Sequence, residues 1–218
     1  MTTTRQLTAQ GIERKQQLLD AAARLFAEQG YASTRVVDIV DAAGVAKGLF
    51  YWYFENKEAL FRELADETRR RLRRQQAQAI DDGAPALVRI LQGTVASLAF
   101  MAENAPFFSL LDVEGRNVAD VLRQGTEQHL HDVTVLILDG VRDGTVTDTD
   151  PADLLALGVV GAVGQFSHFH RTGRIDLSLA ELSGYVARQV ARMLASDEAT
   201  ARAAIASLRH NRSTAPAF

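Results

Sequence analysis

The residues best placed to do chemistry stand together early in the chain: Lys47-Gly48-Leu49, then the unbroken aromatic run Phe50-Tyr51-Trp52-Tyr53-Phe54. A helix turns by about 100° per residue, so it cannot bury five successive rings on one face. Phe50 and Phe54, four apart, form the natural inward pair. Tyr51, Trp52 and Tyr53 are then left on or near the surface, with Lys47 and Gly48 one turn back. Hydroxyls and a cation beside flat apolar rings suit a phosphate backbone and thymine methyl groups. The competing reading is that all five rings are the core of a small domain.

Other chemically suggestive residues are less specific. His129-Leu130-His131 and His168-Phe169-His170 raise a metal site. Residues two apart on a helix diverge by roughly 200°, so neither pair chelates alone as an i, i+4 pair can. One histidine from each pair could converge with a carboxylate, but a satisfied or solvated histidine is the plainer reading, and no metal ligand or cofactor is assigned. Gly158, Gly161 and Gly164 lack both the spacing and the preceding strand of a dinucleotide fingerprint. Each costs up to ~1 kcal/mol inside a helix, which points to close approach of another helix, with a kink or a pocket wall as the competing use. Arg69, Arg70, Arg71, Arg73 and Arg74 cover nearly every face of a helix and read as solvated. The chain has no G-x-S-x-G, H-E-x-x-H or phosphate-loop pattern, so no enzyme is expected.

The elements that must position these residues are all helical. The 218 residues fit one large or two small domains. With 47% hydrophobic and 23% charged residues the chain has the composition of a globular protein. It has no cysteine, which removes disulfides and thiolate chemistry and points to a reducing compartment. The longest run without a polar side chain, Leu154 to Gly164, is short for a bilayer, and the first residues lack a signal-like core, so a cytoplasmic protein without membrane association is expected. The net charge of −3 divides unevenly: residues 1–80 carry 13 basic and 10 acidic side chains, and residues 81–218 carry 11 and 17. A weakly positive part can face a polyanion.

Apolar residues Ile12, Leu18, Leu19, Ala22, Leu25 and Phe26 make a helical stripe that closes at Gly30-Tyr31. Thr34 is a candidate N-cap for a short helix ending at Ala43-Gly44, followed by a second short helix over Ala46–Tyr53 and a long one after Asn56. Two short helices joined by a glycine turn match a helix-turn-helix. Further starts fall at Pro85, Pro106, Asn117, Asp150-Pro151 and the capping box Ser178-Leu179-Ala180-Glu181. The expected organisation is all-α: a flexible tail over 1–10, a helix-turn-helix domain over 11–56, a second helical domain over 57–212 and a tail over 213–218.

Gly30-Tyr31, Thr34, Asp38-Ile39, Ala42-Ala43-Gly44-Val45, Lys47-Gly48, Tyr51, Tyr53-Phe54, Lys57 and Leu60 occur in the order found in the TetR family of bacterial transcriptional regulators, and the chain resembles that family across Gly11–Phe61. Beyond residue 62 the resemblance covers only the number and length of helices. It implies a homodimeric, all-helical repressor with a DNA-binding N-terminal domain and a C-terminal domain for dimerisation and a small-molecule effector. Carried over by position, Thr34 would cap at a phosphate, Lys47, Gly48, Leu49 and Tyr51 would approach base edges, and Trp52, Tyr53 and Lys57 would lie along the backbone of a double-stranded operator. Ala46 stands where the family usually has a hydroxyl, Val40 where a small residue is usual, and Arg35 where Thr is common; Arg35 could add a phosphate contact.

The expected effector site is apolar with a few orienting groups: Phe100, Met101, Phe107, Phe108, Leu111 and Phe169 with Asn104, His129, Gln165 and His168. Ordinary core packing is the alternative for each. Gly158, Gly161 and Gly164 with the stripe Leu179, Leu182, Val186, Val190 and Met193 are expected to pack against their symmetry mates as an intersubunit four-helix bundle. The functional reading is a ligand-responsive repressor. The alternative is a helical carrier or sensor that does not bind DNA specifically.

Overall fold

The computed structural model describes residues 9–114 and 119–214. The expected start at Asn117 and the terminal segments 1–8 and 215–218 lie outside these. Among the described residues the chain forms α1 (Ala9–Gln29), α2 (Val36–Ala43), α3 (Lys47–Tyr53), α4 (Lys57–Ala79), α5 (Ala86–Glu103), α6 (Ala105–Glu114), α7 (Ala119–Asp143), α8 (Ala152–Arg171), α9 (Leu179–Leu194) and α10 (Glu198–Thr214). The extended pairing among them is a single bridge, Val146 to Ala195, which ties the α7–α8 connection to the α9–α10 connection. Ala9 and Gln10 lie in α1, and Ser213 and Thr214 lie in α10, so these four residues, expected in the tails, are helical. Helix α10 has no counterpart among the expected elements.

The chain divides into two compact units, one of residues 1–68 with 106–123, the other of 69–105 with 124–218. The sequence places the break at 56/57. It falls further along because α4 buries Leu60 and Phe61 in the first core, where α6 adds Leu110 and packs Phe107 and Leu111. The periodic positions of α1, Leu18, Leu19, Ala22 and Phe26, supply the other wall of that core, against Ile39, Val40, Phe50 and Phe54. Phe61 sits edge-on to Phe26 at 5.8 Å and stacks with Phe107 at 6.4 Å.

The charge asymmetry of the linear chain does not carry over to the units. Residues 1–68 with 106–123 hold 10 basic and 13 acidic side chains, a net of −3, because the run Arg69–Arg74 belongs to the other unit. Arg73 pairs there with Asp132 at 2.7 Å, and the Arg71 guanidinium lies over the Phe100 ring at 5.8 Å.

The second unit is built around α5, which is buried on most of its surface and packs with α8, α9 and α10. Leu87, Leu91 and Leu98 are its innermost side chains, each worth about 1.5–3 kcal/mol of apolar burial. The helix starts are fixed by side chains close by. Asn56 Oδ1 accepts from the Ala59 amide at 2.8 Å, and Asp197 Oδ1 accepts from the Thr200 amide at 2.8 Å. Ser178 and Glu181 form the expected reciprocal box. Pro85 and Pro151 stand one position outside their helices.

By length and composition alone an 18-residue window of α5 and one of α8 could each cross a membrane. In α5 61% of that window is buried inside the chain, as a core helix requires, whereas in α8 only 28% is. Among the described residues an apolar face of α8, with Leu154 and Leu157, is therefore left uncovered.

Candidate nucleic-acid interface

The local structure of α2 differs from the expectation at Thr34. Thr34 is only 1% exposed; its hydroxyl donates to the Gly30 carbonyl at 2.7 Å and accepts from Gln29 Nε2 at 3.3 Å. It closes the α1–α2 loop and is not placed to cap at a phosphate. The N-cap is Arg35, in extended backbone, whose amide donates to Asp38 Oδ2 at 2.9 Å. The Arg35 guanidinium donates to both oxygens of Asp38, at 3.1 and 2.7 Å, and this hydrogen bonding holds the Asp38 carboxyl below the usual carboxylate range. Arg35 remains exposed but is not an unpaired cation.

Helix α2 stops at Gly44, whose φ of +65° a residue with a Cβ rarely adopts. The Val45 amide donates to Val40 O at 3.0 Å and closes the turn. Helix α3 begins at Lys47, with Ala46 as an N-cap that offers no side chain. Gly48 faces open space: a Cβ there would meet nothing within 4 Å.

Phe50 and Phe54 take the inward positions, 0% and 4% exposed, with ring centroids 5.7 Å apart. Tyr51 and Trp52 stand out at 52% and 51% exposure. Neither ring is a loose appendage, because Tyr51 lies edge-on to Phe50 at 5.3 Å and Trp52 edge-on to Tyr53 at 4.5 Å. Leu49 is half-buried between the two faces.

Two residues expected along the DNA backbone are engaged inside the unit. The Tyr53 hydroxyl donates to Gly11 O at 2.7 Å, pinning α3 to the first turns of α1. The Lys57 ammonium donates to the carbonyls of Tyr31, Thr34 and Ala32 at 2.5, 2.7 and 3.3 Å. Partial burial lowers the Lys57 pKa, against the opposing pull of Glu114. The outward set that remains is Arg35, Ala46, Lys47, Gly48, Tyr51 and Trp52. Glu114 escapes sequence reading because it meets the loop from 82 residues away.

The expected effector residues are divided between the units. Phe107, Phe108 and Leu111 belong to the first, where Phe107 packs on Phe61 and Leu111 joins the core. Phe100, Met101, Asn104, His129, Gln165, His168 and Phe169 belong to the second. There Phe100 is buried, Met101 packs against the core, and Asn104 caps α5 through a 2.8 Å bond to Phe100 O. His129 is half-buried, and desolvation lowers its pKa. Gln165 is exposed, and His168 lies 5.4 Å from the Phe169 ring.

The expected dimer stripe is corrected more sharply. Leu182, Val186 and Val190 are buried in the chain's own core, and Leu179 packs against it. Gly158 serves an approach within the chain, since a Cβ there would come within 3.0 Å of Met193 Sδ. Gly161 and Gly164 face open space, and the exposed apolar side chains of α8 and α9 are Leu154, Leu157, Tyr185 and Met193.

A helix-turn-helix with an aromatic outer face on its second helix, carried by an all-helical chain, defines a DNA-binding regulator class. The sequence profile of bacterial regulatory proteins, tetR family, matches residues 18–64. The HTH-type transcriptional repressor DhaR of Mycobacterium sp. strain GP1 is 30% identical over 147 residues, 65% of this chain and 74% of that relative. The HTH-type transcriptional regulator AcrR of Shigella flexneri is 48% identical over 52 residues, and that match spans only 24% of each chain. Among solved structures, the fatty acid degradation regulator FadR of Bacillus halodurans superposes with a TM-score of 0.74 at 21% identity, over 81% of this chain and 94% of that one. The chain belongs to the tetR family of bacterial regulatory proteins.

Proposed function

We propose that this protein is a ligand-responsive transcriptional repressor, a homodimer that reads a near-palindromic operator with two copies of α3 and is released by a small, largely apolar effector. The observation that carries the reading is the split within α3: Phe50 and Phe54 anchor the helix, while Tyr51 and Trp52 face outward beside Lys47. Similarity to the repressor DhaR and the regulator AcrR supports it.

Self-association is assigned to the uncovered face of α8 and α9, around Leu154, Leu157, Gly161, Gly164, Tyr185 and Met193, in place of the stripe that faces inward. Gly161 would allow close approach of two backbones. The effector is assigned to the second unit, where Met101 and Phe169 would supply apolar surface and His129 and His168 the polar groups.

One experiment with two readouts tests this. A gel shift on the promoter DNA flanking the protein's own gene is expected to give a specific, saturable complex that excess unrelated DNA does not remove. In parallel, sedimentation is expected to give a dimer for the wild type and a monomer for Gly161→Leu, whose Cβ meets nothing within 4 Å in its own chain. No specific complex would return the protein to a non-DNA-binding carrier, and a dimeric Gly161→Leu would move the interface elsewhere.

A further inference from the structure

The loop between α1 and α2, residues 30–34, is held from two sides by side chains distant in sequence. Gly30, at φ +86°, turns the chain out of α1, and Thr34 bonds back to its carbonyl. From α4, Lys57 donates to three carbonyls of the loop and lies 4.3 Å over the Tyr31 ring. From α6, the buried Glu114 accepts from the Ala32 amide at 3.4 Å. Its Oε1 lies so close to Gly30 that a Cβ there would approach it to 3.3 Å. Three carbonyls of the loop, those of Tyr31, Ala32 and Thr34, and the Ala32 amide are thus satisfied by α4 and α6.

We propose that Glu114 is a positioning residue for DNA reading: with Lys57 it clamps the 30–34 loop, so that α6 sets where α2 and α3 stand. The proposal rests on the DNA-binding reading above. Its physical basis is the directness of the path. The loop runs from Gly30 to Thr34, α2 follows at once with Arg35 as its cap, and the turn at Gly44 passes any shift of α2 to α3. Leu110 and Leu111 tie α6 into the apolar core, but Val113, beside Glu114, is exposed. Phe26, Gly30, Pro106, Leu110 and Val113 with Glu114 itself border a cleft of about 580 Å³ between them. A polar contact must therefore do what packing leaves undone. Helix α6 follows α5 after the single residue Asn104. A displacement of α6 that withdrew Glu114 would leave the Ala32 amide unpaired and the Lys57 ammonium without its nearby counter-charge.

Hydrogen–deuterium exchange on the full-length protein tests the clamp without DNA or effector. Glu114→Ala is expected to speed exchange of the amides in 30–36 and of α2 by roughly tenfold, with α9 unchanged. Glu114→Gln, which keeps an acceptor but no charge, is expected to give a smaller rise and stands in if the alanine variant does not fold. Lys57→Met should reproduce the pattern, and the double variant should add little to either single change. Affinity for the flanking promoter DNA should fall in parallel, again roughly tenfold. Exchange that rises only within α6, or effects that simply add, would overturn the clamp. Wild-type protein that binds no DNA specifically would overturn the functional reading instead, while the exchange pattern would still decide the clamp.

Discussion

Tyr51 is half exposed while Phe50 beside it is fully buried, so substitutions one residue apart separate reading from folding. Tyr51→Ala removes a half-exposed ring that meets Phe50 edge-on from outside the core. Its specific operator affinity is expected to fall by about 10- to 100-fold, the range set by loss of one good base contact, with an unchanged melting temperature. Phe50→Ala instead opens the first core and is expected to cost about 3–5 kcal/mol of stability. Fluorescence anisotropy on labelled operator and thermal melting on both variants check the pair. A Tyr51→Ala protein that melts early would place that ring in the core after all. The inward pair was legible in the sequence because a four-residue spacing decides which rings share a face. The destinations of Lys57 and Tyr53 were not, because an ammonium or a phenol reaching a carbonyl 26 or 42 residues upstream leaves no trace in local spacing. Thr34 misled for a related reason: a threonine before a short helix looks the same whether its hydroxyl caps forward or, as here, bonds back to Gly30.

Helices in the second unit are joined by caps that link elements as well as terminate them. Asp143, in the last turn of α7, accepts from the first amide of α5 at Ala86 at 2.8 Å and from the Thr145 hydroxyl and amide. Desolvation works against its ionisation, but these hydrogen bonds outweigh it and hold the carboxyl below the usual range. A depressed folded pKa means that the contribution is present above the unfolded pKa and is lost as pH falls through the folded one. Asp143→Ala is expected to lower stability by about 0.5–1 kcal/mol at neutral pH, and the gap to wild type should close in acid. Urea titrations at neutral and acidic pH check this; a gap that widens on acidification would assign the cap to another group. At this scale the sequence showed the elements better than their partners. Periodicity put Leu182, Val186 and Val190 on one face of α9, but only the fold decides that α5 and α8 of the same chain cover it. Helix α10 went unseen because two of its buried positions, Ala201 and Ala204, give little hydrophobic contrast.

For the whole molecule, the sign of the first unit bears on how DNA is held. The unit is acidic overall, and the outward cations found on α2 and α3 are Arg35, already paired, and Lys47. A dimer using both would neutralise four phosphates, so the slope of log affinity against log salt is expected to be about −3 to −4. Titrations of the specific complex at several salt concentrations measure it; a slope of about −8 would mean that basic residues outside this face carry the binding. The same unit is discontinuous: its α6 is separated from its α1–α3 and the first part of α4 by residues 69–105, which belong to the other unit. During synthesis the first three helices leave the ribosome with their core unfinished, until Phe107, Leu110, Leu111 and Glu114 have also emerged. At about 5–20 residues per second that interval is several seconds, during which Phe61 and the loop over Lys57 lack their final cover. The DNA-reading part is thus a late product of translation despite standing first in the chain, and a fragment cut after α4 would never complete it.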